Sequence, residues 1–179
     1  MQKLVFATEF GKVVIDLFTN RAPETCQYFV KLAQAGAFES ASVLRIVTKN
    51  GLQPSDACPI SVVQIAPSQR FDGPRHEVIH ENTRQTGLLH KKWAVSAARF
   101  DLGELYGSFF ICLADEPELD FGGKRQPDGQ GFAAFGQVTE GFDTIEKIFS
   151  RAEPSELLKH SIPIRNLTIT QQESTSAQS

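Results

Sequence analysis

No run of apolar residues comes near the roughly 20 that a helix needs to cross a bilayer, and the N-terminus enters an alternating pattern at once, without the charged and then apolar stretch of an export signal. A soluble, untargeted, cytoplasmic chain with no membrane partner is the expectation. Positive charge is also in short supply, with a formal net charge of −3 and a pI near 5.8. That leaves no basic field for a polyphosphate and excludes nucleic acid as a main partner. The three cysteines, Cys26, Cys58 and Cys112, are odd in number, far apart and without a C-x-x-C pair, so reduced thiols are expected. Cys112, inside an apolar run, reads as a small core residue and not as a nucleophile. No internal repeat appears, and strands do not alternate with helices as they do in a parallel α/β sheet.

What is present is ordinary globular composition, 179 residues with 41% hydrophobic and 22% charged. That suffices for one domain burying about 70% of its unfolded surface. Residues 1–170 are assigned to that domain and 171–179 to a polar tail expected to be disordered. Lys3 to Ala7 and Lys12 to Phe18 read as a hairpin turning at Gly11. Pro23 then opens an amphipathic helix carrying Cys26, Phe29, Val30 and Ala33, which Gly36 stops. Val43 to Val47 reads as a strand with Arg45 at its centre, and Thr48 to Pro59 as a surface loop. Ile60 to Ile65, which holds Gln64, and Trp93 to Ala98 read as further strands, the latter followed by a loop over Phe100 to Gly107. A second helix is expected over Thr139 to Phe149 and a closing strand over Arg165 to Thr170. Many short strands and two helices point to a mainly β fold, an antiparallel closed barrel whose ends the helices cap.

The most distinctive stretch is Tyr106 to Gly141. It holds an apolar run at Phe109 to Leu113 and a second from Phe132 to Val138, joined by a loop from Asp115 to Gly131. A connection that long in a compact domain is usually functional. Three chemical motifs compete for attention elsewhere. His76, Glu77 and His80 match H-E-x-x-H, which binds zinc when a helix puts both histidines on one face; the flanks here show no helical apolar stripe. His90 and His160, the remaining histidines, read as surface or loop residues and not as a third ligand. G-x-G-x-x-A at Gly129 to Ala134 lacks the strand before it and the helix after it that a dinucleotide site requires. Asp115 to Glu118 lacks calcium-loop spacing.

Taken together, these residues resemble a known family. S-F-F-I-C from Ser108, L-D-F-G-G from Leu119, P-D-G-Q-G-F-A-A-F-G from Pro127 and T-E-G-F-D-T-I-E-K-I from Thr139 fall in the order of the second half of the bacterial cyclophilin-type peptidyl-prolyl isomerases. A-P-x-T-x-x-x-F from Ala22 is similar to the family's first helix. The resemblance covers roughly residues 3–170 and implies an eight-stranded barrel with its substrate groove on the outer surface. The implied reaction is cis-trans isomerisation of X-Pro bonds in folding or flexible polypeptides, by a monomer, with no cofactor and no metal. By resemblance Arg45 stabilises the twisted amide and Gln64 orients it or holds a substrate carbonyl. Val62, Ala97 or Ala98, Ser108, Phe110, Leu119 and Phe132 would form the substrate-binding wall.

The chain departs from the family's usual pattern at several positions. Ile65 and Ala66 stand in place of two glycines, Val62 in place of a larger residue such as Met, Ser108 in place of a glutamine, and Phe132 in place of His or Tyr. Glu118 takes the position of an aromatic, usually tryptophan, so tight binding of cyclosporin is not expected. Two other readings stay open from the residues alone. One is a proline-peptide binding module of the same fold without turnover, and the other is a zinc hydrolase through His76, Glu77 and His80.

Overall fold

The computed structural model describes residues 1–51, 58–67 and 74–172. Strands β1 (Gln2–Thr8) and β2 (Gly11–Leu17) form the expected hairpin, with Leu4 and Phe6 buried on one face by strict alternation. Helix α1 (Pro23–Gln34) starts on Pro23, whose missing N–H is an end-of-helix orphan in any case, and buries Cys26, Phe29 and Val30. The chain continues through β3 (Ser42–Val47), β4 (Val62–Ala66), the two-residue β5 (His76–Glu77), helix α2 (Thr83–Thr86), β6 (Ala94–Arg99) and β7 (Glu104–Cys112). A 3-10 turn at Pro117–Leu119 precedes β8 (Ala134–Glu140), helix α3 (Phe142–Phe149), β9 (Leu157–Pro163) and β10 (Arg165–Gln171).

All the strands join one antiparallel sheet in the order β10-β1-β2-β8-β6-β7-β4-β3-β9, with β5 added on β7. The first and last strands of that order are consecutive in the chain, separated only by Ile164, whose N–H donates to the Ala41 carbonyl at 2.8 Å. The sheet therefore curls until the chain itself joins its two ends at a corner, and no β9–β10 ladder is needed. Among the described residues ten strands are present where eight are expected. Setting β5 aside as a short extension and counting β9 with β10 as one bent strand leaves eight around the ring (10 − 1 − 1).

Inward side chains from β1, β2, β3, β4, β6, β7 and β8 share a single core with both long helices. Phe29 of α1 stacks on Phe135 at 4.6 Å and meets Phe109 edge-on at 5.8 Å, while Ile145 and Ile148 of α3 are fully buried from the other helix. Such aromatic pairs add to the apolar area that each ring removes from water.

Four elements differ from the sequence reading. Strand β7 starts at Glu104, so Glu104 to Gly107 are strand and not loop; a bulge opposite Ala97 and Arg99 lets β6 pair again at Leu105. Thr139 and Glu140 belong to β8, and α3 begins only after Gly141, which adopts φ 90° where an added Cβ would sit 2.2 Å from the Lys12 carbonyl. Thr83–Thr86 form α2, a helix beyond the two expected, with a capping box between Asn82 and Gln85. Strand β9 went unseen because only Ile162 of its seven residues is buried, so no apolar run marks it. The tail from 173 on and much of the Thr48 to Pro59 loop (52–57) lie outside the described residues.

Phe135→Ala removes the ring that Phe29 stacks upon and should lower unfolding free energy by about 3–5 kcal/mol in urea titration. A loss under about 1 kcal/mol would show that this stack is not central to the core.

Candidate active site

Alternation gives β3, β4, β6 and β7 an outer face, and on it sits a second apolar cluster that includes Val47, Val62, Ala98, Phe110, Leu119 and Phe132. A pocket of about 160 Å³ opens over this cluster. Its apolar floor and walls are Val62, Ala98, Phe110, Leu119 and Phe132, and Arg45 and Gln64 stand among its polar residues. Seven of the nine residues expected in the site thus meet in one depression on the outside of the barrel: Arg45, Val62, Gln64, Ala98, Phe110, Leu119 and Phe132. Phe110 and Phe132 meet edge to face at 5.5 Å.

The other two do not line it. Ala97 is on the inward pleat of β6, 1% exposed within the main core, so only its neighbour Ala98 faces the pocket. Ser108 is on the correct face but fully buried beneath Gln64, where its hydroxyl donates to the Ile65 carbonyl at 2.7 Å and accepts from Gln64 Nε2 at 3.0 Å. It fixes Gln64 and does not reach an occupant. Ile65 and Ala66 continue β4 as regular, buried strand residues outside the left-handed region, so no glycine is needed there. Glu118 lies outside the pocket, its carboxylate accepting the Lys124 N–H at 2.8 Å.

The polar edge is built by strand pairing. Arg45 on β3 is directly opposite Gln64 on β4, and its Nη1 donates to Gln64 Oε1 at 3.3 Å. Gln64 Nε2 donates in turn to Tyr106 Oη at 3.0 Å, and burial raises the Tyr106 pKa, which keeps the phenol neutral. The opposite edge of the guanidinium is taken by Glu156, which accepts from Nε at 2.9 Å and from Nη2. Tyr106, Arg99, Arg125, Ile60 and Gln126 also line the pocket and were missed from sequence. Tyr106 had a readable signal, since it keeps step with Ser108 and Phe110 once β7 is extended back to Glu104. Arg99 is 1% exposed at its side chain, donating to the Gly131 carbonyl at 2.8 Å and to both Asp128 oxygens at 2.8 and 2.9 Å. It straps the long loop onto β6 and so holds Phe132 in place.

Two further arrangements look catalytic and are not. His90 is a loop residue, as expected, but not a surface one: it is 1% exposed behind Phe110 and links Ser96 Oγ (2.8 Å) to Asp120 Oδ1 (2.7 Å). Those distances suit a Ser-His-Asp relay, but Ser96 is fully buried and no acyl group reaches it. The H-E-x-x-H segment is not helical: His76 and Glu77 are strand β5, His76 pairs with Tyr28 Oη at 2.9 Å, and His80 contacts the Gln130 carbonyl at 3.0 Å. Its two histidines are therefore engaged separately, and among the described residues no cluster of metal-binding side chains forms. The zinc reading loses the helix it requires.

The comparisons with known proteins agree with this geometry. The family model described as cyclophilin type peptidyl-prolyl cis-trans isomerase/CLD matches residues 3–173. A peptidyl-prolyl cis-trans isomerase of Streptomyces antibioticus is 26% identical, covering 94% of this chain and 96% of its own. Peptidyl-prolyl cis-trans isomerase B of Escherichia coli is 25% identical, over 93% and 95%. In three dimensions the chain superposes on a cyclophilin type peptidyl-prolyl cis-trans isomerase of Cryptosporidium parvum, solved in the presence of the dipeptide Ala-Pro, with a TM-score of 0.73 at 18% identity, covering 95% of this chain and 99% of that one.

The Arg99–Asp128 strap has a pH signature. Burial works against ionisation of Asp128, but the Arg99 hydrogen bonds and the Gln130 N–H outweigh it and lower the carboxyl below its ordinary 3.8. A depressed folded-state value means stability present above pH 3.8 and lost as pH falls through the lower folded value. Wild type should therefore be more stable than Asp128→Asn at neutral pH, and the gap should close on acidification below about pH 4 in parallel urea titrations. A gap independent of pH would contradict this.

Proposed function

This chain belongs to the cyclophilin type peptidyl-prolyl cis-trans isomerase family, and we propose that Arg45 drives its rotation of X-Pro bonds by donating to the prolyl nitrogen of the twisted amide. Planarity of that amide rests on resonance, and breaking it costs about 18–20 kcal/mol. As the bond turns, the nitrogen lone pair leaves conjugation and becomes an acceptor. A guanidinium is always charged and donor-only, so it interacts more strongly with this species than with either flat isomer. No bond is made or broken, and no nucleophile, metal or titrating group enters.

The observation that carries the reading is the placement of the Arg45–Gln64 cross-strand pair on the rim of a cup with an apolar floor. Val62, Phe110, Leu119 and Phe132 offer the proline ring a surface whose burial is worth about 1.5–2 kcal/mol. Weak ground-state binding of that order leaves products free to depart. Gln64, fixed by Tyr106 and Ser108, orients Arg45 and is the candidate partner for a substrate carbonyl. Proline-containing peptides and flexible protein segments are the proposed ligands, the class to which the dipeptide present with the Cryptosporidium relative belongs.

In an NMR exchange or protease-coupled assay on an Ala-Pro peptide, Arg45→Ala should slow turnover by more than about tenfold, which is about 1.4 kcal/mol of selective stabilisation. Phe110→Ala should act differently, raising KM by several-fold through loss of the cup floor. An Arg45→Ala protein with wild-type rate and intact fold would defeat the assignment, and binding without acceleration in the wild type would leave only a peptide-binding module.

A further inference from the structure

We infer that Glu156 is a positioning residue for the isomerase reaction, holding one edge of the Arg45 guanidinium so that the other end faces the bound amide. The inference rests on the reading of Arg45 just given and concerns how that side chain is aimed.

Glu156 reaches Arg45 only because the sheet is irregular there. Strand β9 pairs with β3 at Ser42↔Pro163 and Val43↔Ile162 and then at Arg45↔Leu157. Regular antiparallel pairing, two residues on from Val43 and two back from Ile162, would set His160 opposite Arg45. The chain bulges away instead and returns at Leu157. The turn before it is pinned by the Glu156 carbonyl, which accepts the Ile46 N–H at 2.9 Å. A bulge that re-aims a side chain beside a site is a recurrent device of barrels.

The donor count follows. A guanidinium has five N–H groups in a rigid fork. Nε and one Nη2 hydrogen go to Glu156 Oε2, and one Nη1 hydrogen goes to Gln64. One hydrogen on each Nη remains, and that on Nη2, whose other hydrogen shares Oε2 with Nε, lies at the end of the fork away from the side-chain stem. Gln64 alone would leave the fork free to swing about its last torsions; two anchors, one on β4 and one just before β9, do not.

Glu156 has little other employment. Its side chain is 19% exposed, and Oε1 is buried without a hydrogen-bond partner among the described residues. An unsatisfied carboxylate oxygen costs stability, which the ion pair with Arg45 offsets. Arg125, a further guanidinium of the pocket, donates to the Cys58 carbonyl at 2.8 Å. Its pKa is lowered by burial and then by Arg45, with Glu156 opposing. The carboxylate thus also relieves repulsion between Arg45 and Arg125.

The test compares Glu156→Ala, Glu156→Gln, Arg45→Ala and the double variant Arg45→Ala/Glu156→Ala, with kcat and KM on an Ala-Pro peptide and thermal melting as the fold control. Glu156→Ala should lower kcat by about five- to tenfold and move KM by less than about twofold, because orientation is lost and the cup is not. Glu156→Gln keeps an acceptor oxygen and should recover most of the rate. In the Arg45→Ala background the second change should have no further effect on kcat. Unchanged or increased kcat in a folded Glu156→Ala protein, or a loss that adds to that of Arg45→Ala, would overturn the inference while leaving Arg45 in its role. A wild-type rate in Arg45→Ala would overturn both. If Glu156→Ala does not fold, Glu156→Gln decides alone: a kcat within about twofold of wild type sustains the inference, and a loss of tenfold or more ends it.

Discussion

A half-buried guanidinium on the rim of an apolar cup is the constraint around which this molecule is arranged. An unpaired arginine there would lose hydration without compensation, and an arginine fully matched by carboxylates would have nothing left for a ligand. The structure lies between these limits. One carboxylate oxygen and one amide oxygen take three donors of Arg45, leaving two available to whatever enters the pocket. Charge is thereby kept, and its direction is fixed before substrate arrives, which is the form of electrostatic stabilisation that costs no reorganisation during the reaction.

The barrel supplies rigidity for that arrangement. Arg45, Gln64 and Phe110 come from three neighbouring strands whose inward faces are locked into a core shared with two helices. Their outward side chains inherit the spacing of the ladder, with Gln64 opposite Arg45 on one side and Phe110 on the other. Loops contribute where adjustment is needed. Arg99 ties the long connection before β8 to the sheet through Asp128 and Gly131, and His90 braces Phe110 from behind through Asp120 and Ser96. Phe110 is thus backed by the His90 ring, and the loop that carries Phe132 is tied down by Arg99.

Much of this was legible in the order of residues, and the limits of legibility have physical causes. Arg45 is conspicuous as a charge inside a short apolar strand, but its role, like those of Gln64, Phe110 and Phe132, was legible only through the family resemblance. Ala97 and Ala98 could not be separated, since both are small and a strand's phase is fixed by its partner and not by its own alternation. The bulge between Ala97 and Arg99, the early start of β7 and the return of β9 at Leu157 are registers, set by contacts among residues distant in the chain. Glu156 was invisible for the same reason: the strand that follows it has only one buried residue, and its position beside Arg45 exists only once β9 is paired. The H-E-x-x-H pattern misled in the other direction, because three matched letters carry no information about whether the backbone between them is helical.

The central claim is that the fork of Arg45, beyond its charge, selects the twisted amide. Arg45→Lys keeps a cation and removes the fork. The cis-trans exchange rate of an Ala-Pro peptide bound to that variant, measured by NMR at saturating protein, tests the claim most directly. The account predicts a bound-state rate reduced by more than about tenfold with peptide affinity within about twofold of wild type. A lysine variant that isomerises the bound peptide as fast as the wild type would contradict it.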